Sequence, residues 1–203
     1  MTMVKRGLDI GLSLILLLLT APLQALVAIM VAVDLGRPVL FHQLRAGQEG
    51  TTFRLFKFRS MRPQPSEAVD LSDESRVTRL GQLIRRFRFD ELPQVMLILR
   101  GRMSLVGPRP LYPSGHASEN NNLFRYRHHV RPGMTGWAQV NGNTLLSERE
   151  KLALDIVYVS KASPLFDAWI LWRTLVTVVR GERRDEANIR RALVVADCLD
   201  RRG

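Results

Sequence analysis

An apolar run near the N-terminus constrains this chain more than any other feature. The 26 residues from Leu8 to Val33 contain one acid and one amide among apolar or small side chains. A helix needs about 20 apolar residues to match the hydrocarbon core of a bilayer, so the run is predicted to lie in a membrane. A cleaved signal peptide, with Lys5 and Arg6 as its charged region, is the alternative. The run is longer than the apolar part of such peptides, and no clear small-x-small cleavage site follows it.

Basic residues flank this run on both sides. Positive charge favours the cytoplasmic face, so a spanning helix would leave one basic cluster on the wrong side of the membrane. Pro22, near the middle of the run, removes a backbone hydrogen bond to Leu18 and kinks the helix. A proline-kinked spanning helix is tolerated in membranes and remains an alternative. The charge symmetry favours a re-entrant helix–break–helix that turns at Pro22. The flanking basic residues are Lys5 and Arg6 before the run, and Arg37, Arg45, Arg54, Lys57, Arg59 and Arg62 after it.

The length of 203 residues suffices for one compact domain with attachments. Residues 1–35 are predicted to form the membrane hairpin, residues 36–182 one cytoplasmic domain, and residues 183–203 a charged helix or tail. A single cysteine, Cys198, excludes an internal disulfide framework and fits a reducing compartment. The four histidines lack the cysteine companions of a zinc site.

The pattern of the remaining residues predicts an α/β fold that is mostly helical. Two strand-like runs on either side of "GQEG" predict a small β-hairpin. Helical spacing or helix-boundary residues predict helices over residues 78–88, from about 90 to 99, over 119–129, over 147–160 and over 164–180. The stretches "SDESRVT" and "SLVGPRPLYP" are predicted as loops, and "RPGMTGWAQVNG" as an ordered loop or short strand. The last long helix carries Trp169 and Trp172, which fit either the core or the membrane interface.

The chemistry of the chain is concentrated in "RRFRFDELPQ", where Asp90 and Glu91 adjoin under several arginines. One interpretation is a helix start, with Asp90 as the N-cap and Pro93 in the first turn. The other is a phosphate site, because arginine binds phosphate bidentately and nearby cations keep Asp90 ionised as a nucleophile or metal ligand. Arg109, held between prolines in "GPRP", is a further pre-oriented cation. Carboxylates and arginines together are what phosphoryl transfer requires.

The formal charge of +11 requires an anionic partner. Nucleic acid is one candidate, and "FRLFKFR" alternates aromatic and basic residues as a base-stacking strand does. The chain otherwise lacks recognised nucleic-acid-binding motifs. Anionic lipid headgroups explain the charge more simply, given the membrane segment. A membrane-tethered nucleic-acid binder therefore remains the alternative function, and a silent membrane scaffold is a third.

Five motifs in order, "KRGLDI", "KFRSM", "DELPQ", "MSLVGPRP" and "RPGMTGWAQVNG", resemble the bacterial sugar transferase family, the small monotopic phosphoglycosyl transferases. The resemblance covers roughly residues 4–180. It implies transfer of a phospho-sugar from a UDP-sugar to polyprenol (undecaprenyl) phosphate with release of UMP. This would be the first membrane step in assembly of a bacterial glycoconjugate: exopolysaccharide, capsule, O-antigen or glycoprotein. It also implies a covalent aspartyl phospho-sugar intermediate and a re-entrant helix broken at a proline.

On the matching positions, the resemblance makes Asp90 the nucleophile and metal ligand, with Glu91 as its catalytic partner. Arg109 matches a phosphate-binding arginine, and Lys57, Arg59 and Arg85 match other basic positions around the site. The implied cofactor is Mg²⁺. The implied partners are a UDP-sugar, polyprenol phosphate and membrane lipids, with no nucleic acid and with homodimer formation left open.

The resemblance places the chain on the cytoplasmic face of a bacterial inner membrane. The chain also departs from the family: Arg102 stands where many members have aspartate. Phe87 and Arg88 stand where smaller polar residues are usual, which puts local contacts and sugar preference in doubt.

Overall fold

A computed structural model describes residues 2–64, 73–113 and 122–200. Parts of the predicted loop at residues 72–78, of the predicted helix at 119–129 and of the C-terminal tail lie outside these ranges. The described part is mostly helical, with a small two-stranded sheet and an N-terminal apolar helix, as predicted. Helix α1, Met3–Leu35, is long and apolar enough to cross a membrane by its length and composition.

The predicted break in this helix is not seen, because α1 is one helix of 33 residues with Pro22 inside it. A proline lacks the backbone N–H that would bind four residues back, yet one missing bond does not end a helix whose other turns are complete. Thr2 caps the start by accepting a hydrogen bond from the backbone N–H of Lys5. The re-entrant topology itself remains a prediction.

The predicted β-hairpin is confirmed. Strands β1, Leu40–Ala46, and β2, Thr52–Phe58, are antiparallel in a register that runs from Leu40 opposite Phe58 to Ala46 opposite Thr52. A single 3₁₀ turn over residues 48–50 joins them.

The remaining elements follow β2 in chain order. They are α2 Asp73–Arg76, α3 Arg79–Arg86, a 3₁₀ segment Phe89–Gln94, α4 Val95–Leu99, β3 Ser104–Val106, α5 Asn122–Arg127, β4 Gly133–Thr135, α6 Trp137–Val140, a 3₁₀ segment Asn143–Leu145, α7 Glu148–Lys161, α8 Pro164–Arg180 and α9 Glu186–Asp200. The predicted helices at 78–88, 147–160 and 164–180 are therefore present, with shifts of a residue or two at their ends. Serine side chains cap α7 and α8, and α8 begins with a proline at its first turn.

Strand β3 corrects the prediction of a loop at "SLVGPRPLYP", and strand β4 lies in "RPGMTGWAQVNG", the stretch predicted as an ordered loop or short strand. They pair in parallel, with Ser104 opposite Gly133. Two glycines permit this close pairing, since a Cβ on Gly133 would lie 2.1 Å from the backbone nitrogen of Gly107. The pairing fixes the start of the loop that carries Arg109.

Both ends of α1 are anchored on the globular part of the chain. At the N-terminal end, the ammonium of Lys5 lies 2.5 Å from the carboxylate of Asp167, and Arg6 donates to two backbone carbonyls at the end of α4. At the C-terminal end, Thr78 donates a hydrogen bond of 2.6 Å to Asp34. Between these ends, Leu18 and Leu19 are 75% and 76% exposed. Helix α1 is therefore held to the globular part at both ends, while apolar side chains in its middle are exposed.

Two clusters of apolar side chains hold these elements together. The smaller one packs the C-terminal half of α1, through Val27 and Val31, against Phe58 and Ile84. The larger one joins β2, α4, β3, α6, α7, α8 and α9. Helix α9, within the region that the sequence pattern sets apart as a charged helix or tail, contributes the following side chains to this larger cluster: Ile189, Ala192 and Ala196.

Candidate active site

The two adjacent acids lie on the 3₁₀ segment between α3 and α4. The residue before this segment is Arg88, whose backbone is left-handed with φ of +56°, and it has no side-chain capping bond. The interpretation of Asp90 as a helix N-cap is therefore wrong, because Asp90 lies inside the first turn. The left-handed residue changes the direction of the chain before the two acids. The side chain of Glu91 is 7% exposed and turns into the protein, whereas that of Asp90 is 13% exposed and stays partly accessible.

Glu91 is surrounded by cations. Its Oε1 accepts from Nζ of Lys57 at 2.7 Å and from the guanidinium of Arg109 at 3.1 Å, and its Oε2 lies 3.7 Å from Arg88. Burial alone would raise the pKa of Glu91, but the charges of Arg109 and Lys57 outweigh it and lower the pKa to about 2. Glu91 is therefore ionised across the physiological range and organises the cations around it.

Asp90 is in a different electrostatic position. Its Oδ2 lies 3.9 Å from Lys57, at the limit of an ion pair. Burial, and then repulsion by Glu91, raise the pKa of Asp90 above its ordinary value, although Lys57, Arg85 and Arg109 oppose this. The nearby cations thus act on Asp90 in the expected direction, but burial and Glu91 outweigh them. A carboxylate with little compensating charge is the more basic and more nucleophilic of the pair.

The structure brings Lys57 and Arg109 to the pair of Asp90 and Glu91, called the dyad below. The other two predicted cations have different partners. Arg85 binds Oγ of Ser60 at 2.8 Å, while its charge still acts on Asp90. Arg59 donates to the backbone carbonyl of Pro38 at 3.0 Å, on the side of the hairpin near the end of α1.

A buried ion pair supports the loop that carries Arg109. Arg127 on α5 lies 2.5 Å from Asp155 on α7, and both side chains are almost completely buried. The same guanidinium group donates to the backbone carbonyl of Arg109 at 3.0 Å. Burial, only partly opposed by Arg127, raises the pKa of Asp155 to about 6. This pair positions Arg109 without contacting the dyad.

Sequence reasoning missed Glu182, which lies just after α8. Its carboxylate accepts from Arg88 at 2.6 Å and from Nδ2 of Asn143 at 2.5 Å, and also binds Thr144. Arg88 and Asn143 both have left-handed backbones. Glu182 therefore ties the segment of the dyad to the glycine-containing loop after α6. An acid inside the otherwise basic "RGERR" was the one signal available in the sequence.

Two larger spaces reach residues of the site. A cavity of about 920 Å³, called the large cavity below, is lined by Arg109, Arg45, Tyr112 and Gln139, and by residues of α7 and α9. A space of about 440 Å³, called the apolar groove, runs between α1 and α8 and is lined by Arg88 and Glu91 as well as by apolar side chains. A small cleft lined by Lys57, Glu91 and Arg109 lies at the dyad itself.

The dyad fits a magnesium ion only together with a phosphorylated substrate. Mg²⁺ is usually held by one or two carboxylates, with substrate phosphates and water completing its ligands. Within residues 2–64, 73–113 and 122–200, no group of three acidic, histidine or cysteine side chains is arranged to hold a metal alone. The oxygens of Asp90 are only weakly engaged and can act as ligands, whereas Oε1 of Glu91 already accepts from two cations.

Comparison with known protein families assigns the chain. Residues 1–181 match the family model described as bacterial sugar transferase, and this range includes the dyad, Arg109 and α8. The chain belongs to the bacterial sugar transferase family. The membrane-type helix and the dyad are thus parts of one matched unit.

Individual relatives agree with the family assignment. The chain is 40% identical over 185 residues to the uncharacterized sugar transferase EpsL of Bacillus subtilis (strain 168), covering 91% of each chain. It is 42% identical over 185 residues to undecaprenyl-phosphate glucose phosphotransferase of Komagataeibacter xylinus, covering 84% of this chain and 35% of the relative. It is 37% identical over 186 residues to UDP-N-acetylgalactosamine-undecaprenyl-phosphate N-acetylgalactosaminephosphotransferase of Aeromonas hydrophila, covering 88% and 44%. The chain thus spans less than half the length of the last two.

Proposed function

We propose that this sugar transferase moves a phospho-sugar from a UDP-sugar to polyprenol phosphate and releases UMP. Two relatives are named for transfer to undecaprenyl phosphate, one of glucose phosphate and one of N-acetylgalactosamine phosphate. The observation that carries the proposal is the division of the dyad. Glu91 is ionised and held by Lys57 and Arg109, while its neighbour Asp90 has a raised pKa and only a weak ion pair.

The first step uses Asp90 as the nucleophile. A carboxylate oxygen of Asp90 attacks the β-phosphorus of the UDP-sugar, and the bond from that phosphorus to the bridging oxygen breaks. UMP leaves with the electron pair, and an aspartyl phospho-sugar remains on the protein. Lys57 and Arg109 lie beside the attacked position and stabilise the charge that develops on the phosphate oxygens.

The second step regenerates the free carboxylate. A phosphate oxygen of the polyprenol phosphate attacks the sugar-bearing phosphorus, and the phosphorus–oxygen bond to Asp90 breaks. The product is a polyprenyl diphosphate sugar, and Asp90 is restored as a carboxylate. Glu91 stays ionised throughout and keeps the cations in place, because its pKa is lowered to about 2.

Magnesium is proposed as the cofactor, with Asp90 and the donor phosphates as its ligands. When bound there, Mg²⁺ would withdraw charge from the diphosphate and help UMP to leave. Lys57 and Arg109 supply positive charge on the protein side of the same phosphates.

A membrane location follows from the acceptor, whose phosphate lies at the lipid surface. Both ends of α1 bind the same globular part through Lys5 and Asp34, while Leu18 and Leu19 stay exposed between them. We infer that the middle of α1 dips into the lipid and that both ends face the cytoplasm of a bacterial inner membrane. This arrangement brings a soluble donor and a lipid acceptor to one site.

The proposal is tested by UMP release from a panel of UDP-sugars, with polyprenol phosphate and Mg²⁺ present. We expect release with at least one UDP-sugar, and we expect Asp90→Asn to abolish it because the amide cannot form the acyl phosphate. Thermal unfolding of Asp90→Asn should match the wild type, which separates lost chemistry from lost fold. Full turnover in Asp90→Asn, or no UMP from any UDP-sugar, would contradict the proposal.

A further inference from the structure

The apolar groove is formed mainly by two helices that carry exposed apolar side chains. Helix α1 contributes Leu16 and Leu19, and helix α8 contributes Leu171 and Leu175. Leu19 is 76% exposed, so the groove continues to the uncovered middle of α1. A long apolar chain can therefore lie in the groove and still extend beyond it.

Charge in this groove is confined to its contact with the dyad. Of the described residues that line it, Arg88 and Glu91 are the charged ones. The cations on the other side of Glu91 are Lys57 and Arg109, which line the small cleft instead. Arg109 also lines the large cavity. The site is therefore divided, with Arg88 as the cation that faces the apolar side.

The contacts of Arg88 leave one end of its guanidinium group available. Its Nη2 is bound to Glu182 at 2.6 Å, whereas its Nη1 lies 3.7 Å from Oε2 of Glu91, beyond hydrogen-bond distance. Glu182 also accepts hydrogen bonds from Asn143 and Thr144, which fix its position and therefore the position of the bound Arg88 side chain. An arginine held at one end keeps its remaining N–H donors in a fixed direction and loses little entropy on binding an anion.

We propose that Arg88 binds the phosphate of the lipid acceptor, with the acceptor's apolar chain in the groove between α1 and α8. Glu182 is the positioning residue that directs Arg88. The inference rests on the proposed function, because that function supplies an acceptor with a phosphate head and an apolar tail. The donor is hydrophilic throughout, so the groove does not fit it, and Lys57 and Arg109 remain for the donor phosphates.

The side chain of Arg88 reaches Glu182, which is 94 residues away in the chain. An additional cation at the dyad would otherwise attract Glu91 and disturb its pairing with Lys57. Binding to Glu182 compensates much of that charge and keeps Arg88 at 3.7 Å from Glu91.

The test measures adduct formation and transfer to polyprenol phosphate separately in three variants: Arg88→Gln, Arg88→Lys and Glu182→Gln. Arg125→Gln, on an exposed arginine of α5, is the matched control. We expect Arg88→Gln to slow formation of the covalent adduct from UDP-sugar far less than it slows transfer to polyprenol phosphate, because Lys57 and Arg109 hold Glu91 at shorter distances than Arg88 does. Its transfer to polyprenol phosphate should show a KM for the acceptor raised about 10- to 100-fold, the range for one lost charge-assisted hydrogen bond. The KM of Arg88→Lys for the acceptor should lie between the values of the wild type and of Arg88→Gln. Glu182→Gln should raise the same KM with kcat retained, because Arg88 keeps its charge but loses its direction.

A binding measurement gives a readout that does not depend on turnover. Farnesyl phosphate and farnesol are titrated into each detergent-solubilised variant by calorimetry, with thermal unfolding as the check on folding. We expect the wild type to prefer farnesyl phosphate and Arg88→Gln to lose that preference. Equal preference in the wild type and Arg88→Gln would overturn the inference, as would an equal slowing of adduct formation and transfer. If the wild type forms no adduct but binds farnesyl phosphate through Arg88, the mechanism fails while the acceptor site stands.

Discussion

The Nζ atom of Lys57 lies 2.7 Å from Oε1 of Glu91. The same atom lies 3.9 Å from the carboxylate of Asp90, so the lysine is committed to one of two neighbouring acids. The pairing explains why adjacent carboxylates are useful here. In the proposed mechanism, Glu91 holds the cations that the phosphates need. Burial, and then the charge of Glu91, raise the pKa of Asp90, which would make that carboxylate the better nucleophile of the two.

The first prediction concerns pH. Asp90 must be ionised to attack, so lowering the pH through its pKa should stop adduct formation. Burial and the charge of Glu91 raise that pKa in the free protein, so the acidic limb of kcat/KM for adduct formation, which reports the free protein, should lie above the ordinary aspartate value of about 3.9. Arg85 opposes the shift, and Arg85→Gln should therefore move the limb to higher pH. The rate of adduct formation measured against pH tests this, with Arg125→Gln as the control. A wild-type limb at or below the ordinary value would contradict it.

The second prediction compares two arginines that the sequence assigned to phosphate binding. Arg109 binds Glu91 at the dyad, so Arg109→Ala should lose about 2–4 kcal/mol of transition-state stabilisation, as other preorganised donors do. Arg59 binds a backbone carbonyl near the end of α1, so Arg59→Ala should retain most activity. The measurement is kcat/KM for the UDP-sugar in both variants. An equal loss in Arg59→Ala would show that this arginine reaches the substrate after all.

Local patterns predicted the elements whose partners are near in sequence. The β1–β2 hairpin and α3 follow from alternation or helical spacing within a few residues. The β3–β4 pair was not predicted, because three-residue strands have little pattern and their pairing depends on glycine contacts between distant segments.

For the candidate site, too, the sequence did not reveal contacts between residues that are distant in the chain. Family motifs supplied Asp90, Glu91, Lys57 and Arg109, which the structure brings together. They did not supply Glu182, because its role depends on a partner 94 residues away. The raised pKa of Asp90 also escaped prediction, since the sequence shows the number of nearby cations but not the burial that outweighs them.

The third prediction concerns the buried ion pair of Arg127 and Asp155. Asp155→Ala leaves the guanidinium group buried without its partner, so the free energy of unfolding should fall by about 3–5 kcal/mol. Activity should fall as well, because Arg127 supports the carbonyl of Arg109. Denaturant unfolding in detergent measures the change. Asp197→Ala breaks the exposed ion pair with Arg149 and is the control. It should leave the free energy of unfolding nearly unchanged. Similar stability of the two variants would refute a structural role for the buried pair.

The fourth prediction concerns the topology of α1. Cysteines are introduced at Thr2 and at His42, on either side of the helix, after the exposed Cys198 has been replaced with serine. Both should resist a membrane-impermeant thiol reagent in intact cells and react after permeabilisation, because both ends of α1 are anchored to the same domain. Labelling of the cysteine at position 2 alone in intact cells would show a spanning helix. Replacing Pro22 with leucine should shift some molecules towards that form.

The covalent role of Asp90 is tested most directly by mass spectrometry. The protein is incubated with a UDP-sugar and Mg²⁺ without lipid acceptor, and is then digested with trypsin at acid pH. The account predicts one added phospho-sugar mass on the peptide from Phe89 to Arg100, which contains both acids. Treatment with hydroxylamine should convert the modified carboxyl into a hydroxamate located at Asp90, and Asp90→Asn should give neither product. An unmodified peptide from a protein preparation that releases UMP once polyprenol phosphate is added, or a hydroxamate at Glu91 instead, would contradict the account.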